Sequence, residues 1–122
     1  MICILQVRSS SVRLKNKAFL KINEKSVIQN VIDRLLLSKS IKKIIVATSS
    51  RQSDRKFNKF CNNKNILFFK GPLKNVFLRY EQVIKKYKLN FFLRITGDSP
   101  LIDYRIVEKA YKIFKKKNCH IV

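Results

Sequence analysis

The sequence predicts an α/β fold in which a mostly parallel sheet is covered by helices on both faces. Short, continuous apolar runs alternate with segments whose apolar residues recur at helical spacing. The runs lack the polar alternation of a half-exposed strand, which favours strands buried on both faces. The 122 residues are 46% hydrophobic and 29% charged, and this balance is typical of one soluble domain that spans residues 1–122.

The apolar runs predict four strands, at Ile2–Val7, Lys43–Thr48, Ile66–Phe69 and Phe91–Ile95. A further strand is expected to begin at Cys119–Val122. In parallel sheets, ligands bind at the carboxyl ends of the strands. We therefore expect the chemistry in the loops that follow the first, second and fourth strands.

Four helices are predicted between these strands. The first begins at Ser26, which forms an S-x-x-Q capping box with Gln29. Ser53 and Asp54 open the second, and Asp103 caps the fourth. The third follows the Gly71-Pro72 break and carries an apolar stripe, consisting of Val76, Tyr80, Val83, Ile84 and Tyr87.

The net charge is +21, from 28 Lys and Arg against 7 Asp and Glu. A charge this large attracts nucleic acids, anionic surfaces or phosphorylated ligands. The excess is mostly Lys spread over every segment, which favours a solvated basic surface and makes nucleic acid the weaker partner hypothesis. The sequence has no uncharged apolar stretch of about 18 residues and no secretory signal pattern, so we expect a cytoplasmic protein without a membrane contact.

The loop after the first strand has three cations, Arg8, Arg13 and Lys17, interleaved with serines. Arginine binds phosphate oxygens in a fork and lysine binds them as a point charge, so the loop suits a polyphosphate. The alternative is a solvated basic loop. Both the G-x-G-x-x-G and the Walker A motif are excluded, because the only glycines are Gly71 and Gly97.

Asp98 is the best candidate for a metal ligand among the seven acids. It follows the fourth strand and Gly97, and Pro100 stiffens the loop behind it. Phosphoryl-transfer chemistry needs a divalent cation, and magnesium prefers carboxylates. An Asx-turn residue is the alternative interpretation of Asp98. The other acids are assigned to helices, to a turn or to a cap: Glu24, Asp33, Asp54, Glu81, Asp103 and Glu108.

Four blocks of the sequence resemble the cytidylyltransferase family that includes acylneuraminate cytidylyltransferase. They read Q-V-R-S-S-S-V-R-L-K-N-K, I-V-A-T-S-S, F-F-K-G-P-L-K-N-V-F-L-R-Y and L-R-I-T-G-D-S-P-L-I-D. The similarity runs in order over residues 2–122 and is closest to the branch called spore coat polysaccharide biosynthesis protein F. It implies the three-layer α/β/α fold of nucleotide-diphospho-sugar transferases, of which the chain resembles the N-terminal half.

The resemblance implies that CMP is transferred from CTP to an acidic sugar, with release of pyrophosphate and with Mg²⁺ as cofactor, for surface polysaccharide synthesis. Arg8, Lys17 and Asp98 would act in catalysis, and Asp98 would hold the metal. The remaining nucleotide-binding residues would be Ser11, Arg13, Thr48, Ser49, Arg79 and Arg94. For each of these, the family role stands beside a simpler one.

Thr48 and Ser49 could simply start a turn, and Arg79 could lie on a solvated helix face. Arg94 lies in an otherwise apolar strand, where an unpaired charge is costly, and this favours a partner or a ligand.

The sequence departs from the family pattern at several positions. Lys15-Asn16 replaces Pro-Gly, Ser10 replaces Gly, and Asn75 stands where an acid is usual. Family enzymes are also considerably longer, so a homodimer or a complementary chain is an expected partner. A half-enzyme that is non-catalytic or completed by its partner, and a basic nucleic-acid-binding module, remain the alternatives.

Overall fold

The computed structural model describes residues 1–9, 14–64, 66–117 and 120–122. The strands in these residues are β1 (Ile2–Gln6), β2 (Lys21–Ile22), β3 (Lys25–Ser26), β4 (Lys43–Ser49), β5 (Leu67–Gly71) and β6 (Phe92–Thr96). The α-helices are α1 (Val27–Leu36), α2 (Arg55–Asn62), α3 (Val76–Tyr87) and α4 (Tyr104–Lys117). Within the described ranges, no helix has the length and apolar character needed to cross a membrane.

A parallel sheet of four strands forms the centre of the fold, in the order β5-β4-β1-β6. The two inner strands, β1 and β4, are the most deeply buried, and every residue of β4 after Lys43 is buried. The four predicted strands are confirmed, each within two residues of its predicted ends. β2 and β3 form a separate antiparallel hairpin just before α1.

Helices cover both faces of the sheet, so the predicted three-layer α/β/α architecture is confirmed. On one face, Leu5 and Val46 belong to a core cluster with the buried residues of α1, α2 and α4. On the other face, Val83 of α3 packs against Ile4, Ile45 and Ala47. Alternate side chains of a strand point to opposite faces, and this separates the two clusters.

The first helix begins as predicted, but only half of its capping box forms. Ser26 Oγ accepts a hydrogen bond of 3.3 Å from the backbone N–H of Gln29. The Gln29 side chain donates instead to Asp33, one turn further along the helix. At the start of α4, Asp103 Oδ1 accepts a bond of 2.9 Å from the backbone N–H of Arg105, which confirms the predicted cap.

Gly97 allows the loop after β6 to pass close to the chain that follows β1. Its N–H donates to the carbonyl of Gln6 over 2.7 Å, and a Cβ added at Gly97 would lie 2.9 Å from Cβ and Cγ2 of Val7. A side chain at this position would push the two segments apart. The glycine therefore places Asp98 beside the loop that carries the predicted phosphate-binding cations.

The strand predicted at Cys119–Val122 is not found in the described residues. Cys119 lies outside them, and His120–Val122 are exposed and belong to no strand. Among the described residues, β6 is the outermost strand of the sheet on this side.

Candidate functional site

Lys17 and Asp98 form an ion pair although 81 positions separate them in the chain. Their side chains are 33% and 41% exposed. Lys17 lies on a 3₁₀ turn at Lys17–Phe19, and Asp98 follows the end of β6. The Lys17 ammonium holds the pKa of the Asp98 carboxyl below its usual range. The predicted phosphate-binding cation Lys17 and the predicted metal ligand Asp98 are thus in contact at the carboxyl edge of the sheet.

The loop after β1 carries the predicted phosphate-binding cations and is called the phosphate loop (residues 8–17). A backbone hydrogen bond joins its two ends. Arg8 is exposed directly after β1, and the carbonyl of its neighbour Ser9 accepts a hydrogen bond of 3.0 Å from the N–H of Asn16. Ser11 and Arg13, the other predicted members of this loop, lie outside the described residues. Of the three predicted phosphate-binding cations, Arg8 and Lys17 are therefore the two that the structure describes.

Two departures from the family pattern suit the observed backbone. Asn16 has φ 56° and ψ 22°, the left-handed region that glycine favours and that asparagine tolerates better than most residues. Asn75 precedes α3, and its side-chain oxygen accepts a bond of 2.9 Å from the N–H of Leu78. An asparagine can therefore replace the family glycine and the family acid without a change of local structure.

Asp54 is a buried carboxylate that the sequence analysis assigned to a helix start. Its side chain makes no cap bond to α2 and points into the protein instead. It accepts bonds from the N–H of Ser9 at 2.8 Å and from the N–H of Ser49 at 3.3 Å, and from both serine hydroxyls. Burial raises the pKa of Asp54, but the hydrogen bonds from Ser49 and Ser9 outweigh burial and lower it below the usual range. The predicted helix start is confirmed, because Asp54 directly precedes α2, but its carboxylate is bound by tertiary donors and not by the first turn of the helix.

Thr48 and Ser49 lie beneath the surface at the end of β4. Their residues are 0% and 2% exposed. The hydroxyl of Ser49 donates to Asp54, so it is directed into the protein. The predicted position of both residues near a nucleotide base stays a prediction. Both side chains are buried at the carboxyl edge of the sheet.

Arg79 is 1% exposed, so the solvated-face alternative was wrong. Its Nε and Nη2 donate to the carbonyl of Pro72 over 3.1 and 2.6 Å, and Nη2 also reaches the carbonyl of Leu73 at 3.2 Å. Burial lowers the pKa of its guanidinium, and the charge of Asp54 opposes this effect. Gly71 leaves room for the side chain, because a Cβ there would lie 3.0 Å from Cγ of Arg79. The arginine therefore holds the loop between β5 and α3.

Arg94 lies on the outermost described strand of the sheet and is exposed. Among the described strands β6 has a neighbour on one side only, which leaves Arg94 exposed, and the expected partner of its charge is found in Tyr80. The guanidinium carbon lies 5.7 Å from the centre of the Tyr80 ring, a cation–π distance. The Tyr80 hydroxyl donates to Oε1 of Gln6 at 3.1 Å. Tyr80 thus contacts both Arg94, in the middle of β6, and Gln6, at the end of β1, on the face that α3 covers.

Sequence reasoning missed Ser9, Asp54 and the pair formed by Gln6 and Tyr80. Ser9 is next to Arg8, and Asp54 comes five residues after the end of β4. Acids are scarce in this chain, so an acid close to a strand end was an available signal. The signal was not used because the same position also suits the first turn of a helix.

The described residues offer Asp98 as a single carboxylate donor for a metal. No group of three or more His, Cys, Asp or Glu side chains in the described ranges could hold an ion by itself. Magnesium commonly keeps several waters and uses one or two carboxylates together with substrate phosphates. A partly exposed aspartate beside phosphate-binding cations fits that mode of binding.

Comparisons with known proteins agree with this geometry. The chain is 26% identical to the spore coat polysaccharide biosynthesis protein SpsF of Bacillus subtilis over 86% of its length and 45% of the relative. A cytidylyltransferase structure from Leptospira borgpetersenii has a TM-score of 0.86 and 29% identity, over 93% of this chain and 48% of that one. The structure of a CMP:2-keto-3-deoxy-manno-octonic acid synthetase complexed with CTP has a TM-score of 0.80 and 23% identity, over 97% and 48%, and shows the shared fold.

The chain spans about half the length of the curated relatives it matches: 45% of SpsF and 47% of a second relative. The family profile described as cytidylyltransferase matches residues 2–121. This match covers almost the whole chain and includes all four motifs at the carboxyl edge of the sheet. The chain therefore belongs to the cytidylyltransferase family.

Proposed function

We propose that these residues form the nucleotide-binding part of an enzyme that transfers CMP from CTP to a sugar and releases pyrophosphate. The observation that carries the proposal is the contact between Lys17 and Asp98 at the sheet edge where β1 leads into the exposed Arg8. It brings two distant motifs to one edge, with cations for phosphate and one carboxylate for a metal. The family of the chain supports CTP as the nucleotide.

The triphosphate would bind to Arg8, Arg13 and Lys17, with Ser11 as a further donor. A sugar hydroxyl then attacks the α-phosphorus in line, and the bond to the bridging oxygen of the β-phosphate breaks. Negative charge grows on the departing pyrophosphate, and the arginine and lysine side chains stabilise it. The reaction needs no protein nucleophile, so positioning and electrostatics are what the chain supplies.

Asp98 would hold Mg²⁺ together with the phosphates, and the metal would neutralise phosphate charge. In the structure, the Lys17 ammonium donates a hydrogen bond to the Asp98 carboxylate. With a metal–nucleotide complex bound, the Lys17 ammonium would bind phosphate oxygens and the Asp98 carboxylate would hold the cation. Exposed ion pairs contribute little net free energy, so this exchange costs little.

The acceptor is proposed to be an acidic sugar, used in surface polysaccharide synthesis in the cytoplasm. The SpsF relative supports the polysaccharide role. Arg94 supports the acidic class, since it is an exposed cation on β6, the strand that leads to Asp98. The half of the relatives that has no counterpart in these residues would complete the sugar side, from the same chain or from a partner such as a second copy.

Calorimetric titration of the 122-residue chain with CTP, UTP, ATP and GTP tests the nucleotide, each with and without Mg²⁺. We expect CTP to bind most tightly and Mg²⁺ to strengthen its binding. Lys17→Ala should weaken CTP binding by about tenfold or more, the usual value of a charge-assisted hydrogen bond. The matched control is Lys21→Ala, an exposed lysine of the hairpin, and it should change nothing.

Equal affinity for all four nucleotides would contradict the proposal. A salt series then separates the nucleic-acid alternative. Binding of a single-stranded oligonucleotide through many phosphates loses on the order of 10³-fold or more in affinity over a few-fold rise in salt. CTP in a shaped site should lose far less. Pyrophosphate release with acidic and neutral sugars tests the transfer step, and turnover with neutral sugars alone would exclude the acidic class.

A further inference from the structure

Asp54 stands apart from the other acids of this basic chain. Its residue is 1% exposed, and four hydrogen bonds reach its carboxylate from just two serines. The four ion pairs found among the described residues do not include it. Burial of an ionised carboxylate is costly unless hydrogen bonds satisfy it, so these serine donors are what keep the charge in place.

The two serines belong to the carboxyl ends of the two central strands. Ser9 follows β1 by three residues and is the neighbour of Arg8, and Ser49 is the last residue of β4. Oδ1 accepts both bonds from Ser9, and Oδ2 accepts both bonds from Ser49. One carboxylate therefore bridges the ends of two neighbouring strands, and one of its partners, Ser9, is the chain neighbour of Arg8.

All of the polar groups of Ser9 are engaged. Its N–H and hydroxyl donate to Asp54, and its carbonyl accepts from Asn16 at the base of the loop. The peptide planes on both sides of Ser9 are therefore held, and one of them joins Ser9 to Arg8. The direction in which Arg8 leaves the sheet depends on this arrangement.

We infer that Asp54 is a positioning residue for nucleotide binding, which acts through Ser9 on Arg8 and the phosphate loop. The inference rests on the proposed function. A carboxylate is required because each of its two oxygens accepts a bond from a backbone N–H, which can only donate. An asparagine keeps the shape, but its NH₂ group would face the backbone N–H of one serine, and that bond would be lost even if the serine hydroxyl rotates to accept from the amide.

The test compares the unaltered chain with Asp54→Asn and with Asp33→Asn as the matched control. Asp33 is a partly exposed aspartate of α1 that is bound to Lys25. We expect the CTP dissociation constant of Asp54→Asn to rise about tenfold or more, and that of Asp33→Asn to stay within about twofold. Ser49→Ala removes a donor from the β4 side only and should weaken binding less than Ser9→Ala does.

The Ser9 amide provides a readout that a general loss of stability does not move. In ¹⁵N–¹H spectra, the Ser9 resonance should shift in Asp54→Asn, while the resonances of β5 and β6 stay in place. If Asp54→Asn fails to fold, the Ser9→Ala and Ser49→Ala pair gives the same comparison. Equal CTP affinities in these two variants would overturn the inference.

The outcomes separate the two claims. If the unaltered chain does not bind CTP, the proposed function fails and the inference fails with it. If the unaltered chain binds CTP and Asp54→Asn binds it equally well, the inference alone is overturned. If Asp54→Asn binds CTP more weakly but regains the full affinity when an osmolyte restores its stability, the inference is also overturned. Asp54 would then act only on folding.

Discussion

The two sides of the carboxyl edge use charged side chains in opposite ways. On the side of β4 and β5, Asp54 and Arg79 are 1% exposed, and their bonds run to serines and to loop carbonyls. On the side of β6, Asp98 and Arg94 are exposed, and Asp98 is paired with a partly exposed lysine. Buried charges are expensive to leave unsatisfied, whereas an exposed ion pair separates at little cost. Exposure therefore distinguishes the charges that hold loops from those that can bind a ligand.

Arg79→Ala tests the buried side and should have the largest effect on stability. The substitution removes three hydrogen bonds from a charged donor and leaves the carbonyls of Pro72 and Leu73 without them. We expect the free energy of unfolding to fall by about 2–4 kcal/mol, measured by urea titration. Arg55→Ala, an exposed arginine at the start of α2, is the control and should stay within about 0.5 kcal/mol. Equal stability of the two variants would contradict a structural role for Arg79.

Arg8→Ala tests whether an exposed cation at the edge serves binding rather than folding. We expect CTP binding to weaken by about 1.5–3 kcal/mol, the value of a hydrogen bond to a charged group, with little change in stability. Arg13→Ala, outside the described residues, should behave in the same way. Titration of CTP into both variants and into Arg55→Ala measures the effect. Unchanged affinity in both loop variants would remove the loop from the site.

The sequence was sufficient to predict the strands and to bring two of the candidate site residues, Lys17 and Asp98, to one edge of the sheet. Continuous apolar runs predicted all four strands of the sheet, because burial on both faces leaves no room for polar alternation. The parallel arrangement then placed Lys17 and Asp98 at one edge. Their contact over 81 positions agrees with that expectation.

The roles of Asp54, Arg79 and Arg94 were not predictable in the same way. Local propensity correctly placed Asp54 at a helix start, but it could not show that the carboxylate is bound by Ser9 and Ser49. Arg94 lies in an apolar run, but the strand order leaves β6 with one neighbour, and strand order is not encoded by local pattern. Burial of a particular charged side chain depends on the packing of distant segments.

Gly97→Ala tests how the two sides are held together. The added Cβ would lie 2.9 Å from Val7, so either the β6 loop or the β1 loop has to move. We expect a loss of about 1–3 kcal/mol in the free energy of unfolding, typical of overpacking, together with weaker CTP binding as Asp98 moves away from Lys17. Val7→Ala in the same chain should restore part of both losses. An unchanged affinity and stability would show that the close approach is not needed.

Asp98→Asn should have the smallest effect on stability and a specific effect on binding. The Asp98 side chain is 41% exposed, so loss of its ion pair should cost no more than about 1 kcal/mol. The amide cannot attract a hard cation, so the strengthening of CTP binding by Mg²⁺ should disappear, while metal-free binding stays or rises because Lys17 is released. Asp33→Asn, an ion-paired aspartate away from the edge, is the control. Persistence of the Mg²⁺ effect in Asp98→Asn would assign the metal to another group.

The pH dependence of the unaltered chain sharpens the same test. Lys17 holds the pKa of Asp98 below its usual range, so the carboxylate stays ionised in the folded chain at a pH where the unfolded chain binds a proton. The stability from the pair is therefore present above the unfolded pKa of about 3.9 and is lost as the pH falls through the lower folded pKa. We expect the Mg²⁺ effect on CTP binding to be constant between about pH 7 and about pH 5, as far as this carboxylate determines it. A Mg²⁺ effect that already declines in that interval, measured by titration at each pH, would show that a group with a higher pKa than Asp98 controls the metal.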